Sequence, residues 1–63
     1  MEKFRVCVGS YVSNNSDCIE YDIYYTEAKN LEEAINYSKK CIDNWNKENK
    51  YLIYFIENVE IEK

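Results

Sequence analysis

Leu31, Ala34, Ile35, Ser38, Cys41, Ile42 and Trp45 recur at intervals of three, four and seven residues. That spacing lines one stripe of an amphipathic α-helix. The runs on either side of it alternate with period two, so a single helix must cover whatever sheet the rest of the chain forms. Asn30 is a good N-cap, and Glu33 stands three residues later at capping-box spacing. Glu32 and Glu33 also complement the positive end of the helix dipole. Glu32, Asn36, Lys39, Lys40, Asp43 and Lys47 are left for the solvent face. The pattern predicts a helix from about Leu31 to about Lys47, ending in Glu48-Asn49.

Lys3 to Val12 places Phe4, Val6, Val8, Ser10 and Val12 on one side, with Arg5, Cys7, Gly9 and Tyr11 on the other. This is a half-buried β-strand. Ser13-Asn14-Asn15-Ser16-Asp17 is a cluster of turn formers and reads as an exposed hairpin loop. Cys18 to Glu27 is a second strand. Ile19, Tyr21, Ile23 and Tyr25 are its expected core side, and Cys18, Glu20, Asp22, Tyr24 and Thr26 its expected outer side. Tyr51 to Ile61 is a third strand, apolar on both sides in its first half and interrupted at Glu57. Such a strand is covered on both faces or carries a bulge near Glu57-Asn58.

The resulting order is ββαβ. A hairpin pairs strands one and two, and strand three lies antiparallel beside strand one. The fold class is α+β: a two-layer ββαβ sandwich with a three-stranded antiparallel sheet, order 2-1-3, and one amphipathic helix on one face. Residues 1–63 make a single small α+β domain. A chain this short buries only about 60 % of the surface its unfolded form exposes. The uncovered face is expected to carry Cys7, Tyr11, Tyr24 and either Leu52, Tyr54 and Ile56 or their alternates, a reason to form a homodimer or dock on something larger.

Composition narrows the function. The chain has no histidine, no proline and one glycine, Gly9. Ser-His-Asp and Cys-His sites, His-ligated metals and Gly-rich phosphate loops are thereby removed, so no enzyme, cofactor or metal is expected. Twelve acidic against eight basic residues give a net charge of −4, which disfavours direct nucleic-acid binding, since such binders concentrate basic charge. An acidic surface instead suits a basic protein partner. No apolar run is long enough for a membrane span and no signal peptide is visible, so a cytoplasmic location is expected. Three cysteines, an odd number without a CxxC pair, read as reduced, buried small hydrophobes. A Cys7–Cys18 bridge needs their registers to meet. Asn, Ile, Lys, Tyr and Phe make up 31 of the 63 residues; their A/T-rich codons point to a low-GC bacterium, its phage or a plasmid.

Two constellations merit weighing. Glu20 and Asp22 share a strand face about 7 Å apart, as an acid–base pair or a hard-cation site would, and equally as a solvated acidic face does. Arg5 falls on the same side as Tyr11, an arrangement suited to a small anionic ligand. Trp45 reads as core. The leading expectation is a small non-enzymatic binding protein, a phage or mobile-element inhibitor that occupies a host protein, in one version a defence-system protein. It would act through an acidic, tyrosine-rich sheet face contacting the partner with Tyr11, Glu20, Asp22, Tyr24 and Tyr54. The alternatives are a dimer that sequesters a nucleotide with Arg5 and Tyr11, and a structural or assembly subunit.

Overall fold

A computed structural model describes residues 1–62, the Ser16 side chain excepted. The elements are β1 (Glu2–Val12), β2 (Asn15–Ala28), α1 (Leu31–Glu48) and β3 (Leu52–Ile61). The sheet order is β2-β1-β3, both pairings are antiparallel, and α1 packs on one face, chiefly against β3. The expected α+β architecture is therefore the observed one.

The core forms where β1 meets α1. Phe4, Ala28 and Ala34 make one buried cluster with Val59 packed against it, and Val6, Val8 and Ile42 make a second. The helix buries Ala34, Ser38 and Ile42, a single row four residues apart. Small side chains at 34 and 38 let its backbone approach the sheet. Ser38 tolerates burial because its Oγ donates to the Ala34 carbonyl at 2.9 Å. Leu31 and Cys41, expected on the buried stripe, are exposed, since only this narrow row faces the sheet. At the helix start Asn30 Oδ1 accepts from Glu33 N–H at 2.9 Å, the expected N-cap. The Glu33 carboxylate does not close the box; it accepts from Tyr37 Oη at 2.9 Å instead.

The face assignment of β2 is the reverse of the expected one. Phe4 stands opposite Thr26, Val6 opposite Tyr24 and Val8 opposite Asp22. Directly opposed residues share a face, so the buried side of β1 carries Glu20, Asp22, Tyr24 and Thr26 to the helix side. Ile19, Tyr21, Ile23 and Tyr25 go to the bare side, where they are 41 to 54 % exposed. Register decides this: one residue of slip would exchange the two sets.

The expected bulge is present in β3. Cys7 pairs with Asn58, but the next residue, Val8, pairs with Ile56, leaving Glu57 as the extra residue. Leu52, Tyr54 and Ile56 consequently share the helix side with Val59 and Ile61, which simple alternation would forbid. At the hairpin tip the turn is tighter than the expected five-residue loop, with Asn15 already in β2 opposite Val12. Asp17 N–H donates to Asn15 Oδ1 at 3.1 Å, and a register irregularity follows between Ser10 and Val12. The cysteines are not the buried hydrophobes expected: Cys7 is half-buried, Cys18 and Cys41 are exposed, and Cys7 stands opposite Ile23, away from Cys18.

Candidate functional site

The last turns of α1 build a cleft against the hairpin. Trp45 places its ring between two tyrosines from different strands. Its centroid lies 5.9 Å from that of Tyr24 on β2 and 5.4 Å from that of Tyr54 on β3, with interplanar angles of 68° and 64°. These are edge-to-face contacts, the arrangement aromatic quadrupoles favour. Asn46, the next residue, clamps the strand edge: its Nδ2 donates to the Tyr54 carbonyl at 3.1 Å, and Tyr54 N–H donates to Asn46 Oδ1 at 2.8 Å. Asn49 Oδ1 then accepts from Tyr51 N–H and Leu52 N–H, both at 3.0 Å. Two asparagines thus fix the passage from helix to β3, and with it the spacing of the aromatic walls.

The cleft encloses about 290 Å³ and is completed by Val8, Ser10 and Asp22. Among the described residues Asp22 is the one charged side chain that lines it. Tyr24 Oη is buried and has no hydrogen-bond partner among the described residues. A polar group left so costs about 1–3 kcal/mol.

Of the five expected contact residues, Asp22, Tyr24 and Tyr54 come together in this cleft. Glu20 is one step along β2 on the same face, in a smaller groove of about 150 Å³ with Ser10, Tyr11, Val12, Cys18 and Leu52. Tyr11 borders that groove but does not reach the cleft. It is on the opposite face of the sheet, its ring centroid 6.1 Å from that of Phe55. Trp45, read as core from its helical spacing, is 37 % exposed and forms a wall of the cleft. Asn46 carried no periodic signal, because its role depends on where β3 returns beside the helix.

The bare face is the second candidate surface. Ile19, Tyr21, Ile23 and Tyr25 cross it on β2, and Ile53 continues it on β3. Phe55 lies flat enough over Gly9 that a Cβ at position 9 would collide with its ring. Charged groups sit at one end: Lys3 Nζ is 4.8 Å from the Tyr25 ring centroid, and Arg5 Nη1 donates to Glu60 Oε1 at 3.0 Å. Arg5 and Tyr11 are six residues apart on one strand, about 20 Å, and Arg5 is already paired. The two do not form one anion pocket.

Among the described residues no helix is long and apolar enough to cross a membrane, and no group of three or more cation-ligating side chains occurs. Comparison with protein-family models, with curated proteins and with solved structures returns no match.

Proposed function

We propose that this chain is a small non-enzymatic binding protein that acts by occupying a protein partner. The observation that carries this reading is the convergence of Asp22, Tyr24 and Tyr54 with Trp45 in one open cleft. Tyrosine and tryptophan are the residues that dominate binding energy at protein interfaces, and a net charge of −4 favours a basic partner through steering. The bare face supports a homodimer: five large apolar residues stand at least 36 % exposed on it, and a second copy would cover them. A homodimer joined there leaves both clefts facing outward. The bias toward A/T-coded residues supports a low-GC bacterial setting, with a phage or mobile-element inhibitor of a host or defence-system protein as the sharpest form of the reading.

The test is capture from a low-GC bacterial lysate by the tagged protein, run beside Tyr54→Ala and Asp22→Lys. A stoichiometric protein held by the parent chain and lost by both variants supports the reading. The same protein held equally by all three places its contact elsewhere and removes the cleft from the function. Sedimentation of the purified chain measures the dimer separately.

A further inference from the structure

Two features of the cleft together specify the charge of its occupant. Its walls are aromatic, with Trp45 set nearly perpendicular to both Tyr24 and Tyr54. The π-faces of such rings are electron-rich and attract cations. Among the described residues its one charged lining group is the Asp22 carboxylate, and no lysine or arginine lines it. An anion would meet the Asp22 charge and the aromatic faces, both unfavourable. An apolar guest would strip water from the Asp22 carboxylate without replacing it.

Resting on the binding-protein reading, we infer that the cleft receives an arginine side chain of the partner, its guanidinium lying against Trp45 and Tyr54 and paired with Asp22. Guanidinium fits better than ammonium because it is planar, stacks on aromatic faces and presents several donors in a fixed fork. Its parallel N–H donors match the two oxygens of the Asp22 carboxylate. The Asn46 clamp on the Tyr54 backbone fixes that stretch of β3 beside the helix before the guest arrives, which reduces the ordering that binding requires. The basic groups of the bare face do not compete, because Lys3 lies over Tyr25 and Arg5 is paired with Glu60.

Trp45 is the only tryptophan in the sequence, so its fluorescence reports on this cleft without labelling. The experiment titrates the purified full chain with N-acetylarginine methylamide, its neutral isostere N-acetylcitrulline methylamide, and N-acetyllysine methylamide. Arginine amide should give a saturable change, citrulline none, and lysine a binding several-fold weaker. Asp22→Asn, an exposed and nearly isosteric change that leaves the fold in place, should weaken arginine several-fold while the thermal melt is unchanged. Equal responses to arginine and citrulline, or an unaltered arginine curve in Asp22→Asn, overturn the inference. Lysine binding as tightly as arginine overturns the assignment to guanidinium. The two readings fail separately. A partner captured by the parent chain and lost with Tyr54→Ala, alongside equal arginine and citrulline curves, removes the cation and keeps the binding protein. Arginine binding lost in Asp22→Asn, alongside capture indifferent to the cleft, does the opposite.

Discussion

On the helix side of the sheet Phe4 and Val6 are 2 % and 0 % exposed, whereas on the reverse side Ile19, Tyr21, Ile23 and Tyr25 keep 41 to 54 % of their surface in water. The two sets have the same apolar character and sit on neighbouring strands. What separates them is cover. One helix reaches one face, and it presents a single row of buried side chains, Ala34, Ser38 and Ile42, to the sheet. On the covered face each large residue contributes about 1.5–3 kcal/mol through burial. On the bare face the same residue contributes little to the isolated chain and is available to a neighbour. The helix-covered face holds the fold together, and the bare face and the cleft at the helix end are free for other molecules.

The largest effect is expected from breaking the covered face at its most buried large residue. Phe4→Ala should cost about 3–5 kcal/mol, comparable to the entire stability of about 3–5 kcal/mol that a core this small supplies. The variant should lack a cooperative urea transition by circular dichroism. A transition preserved with a loss below about 1 kcal/mol would mean that the two faces are not energetically distinct.

Next is Gly9→Ala, which attacks the one strip of the bare face that is packed. A methyl group at position 9 must push the Phe55 ring aside, at about 1–3 kcal/mol by the usual cost of overpacking. In a Phe55→Ala background the same substitution should be nearly neutral, so a double-mutant cycle isolates the contact. An additive cycle would show that the ring is not what excludes a side chain there.

Smaller still in stability is Tyr21→Lys, placed in the open part of the bare face. Its unfolding free energy should change by no more than about 0.5 kcal/mol, while sedimentation velocity should show a loss of self-association relative to the parent chain. A large drop in stability with unaltered sedimentation would place Tyr21 in the core energetics and take the bare face out of assembly.

The last effect lies on the outer surface of α1 and belongs to neither face. Tyr37 Oη donates to the Glu33 carboxylate, and this hydrogen bond, followed by the negative charge of Glu33, holds the phenol above its ordinary pKa of 10.0. The bond is intact at neutral pH and is lost as pH rises through that raised value. Glu33→Gln should lower the Tyr37 midpoint, read from its ring resonances in an NMR titration, with no measurable change in the neutral-pH melt. An unmoved midpoint would exclude Glu33 as the cause.

Periodicity made the elements legible because it reports the local geometry of one segment at a time. The helical spacing from Leu31 to Trp45, the Asn30 cap and the alternation of β1 all stand in the structure. The conflict of alternation around Glu57 correctly marked a bulge. The β2 face was misread for a physical reason. Its isoleucines and tyrosines alternate as a core strand's would, but hairpin register is set by pairing, and Val6 opposite Tyr24 fixes the outcome. Half of the candidate site was legible on similar terms. Asp22, Tyr24 and Tyr54 were singled out as polar and aromatic strand residues, whereas Tyr11 was assigned to their company although pairing puts it on the other face.

By itself the sequence determined one helix, three strands, their order, the acidic balance and the absence of histidine-based chemistry. Each of these follows from residue identity and short-range spacing. The tertiary structure decided which side of β2 the helix covers, that Trp45 is a cleft wall, and that Asn46 holds the edge of β3. Those facts depend on residues from separate segments meeting at angstrom precision. A register difference of one residue would reverse them while leaving every local preference satisfied.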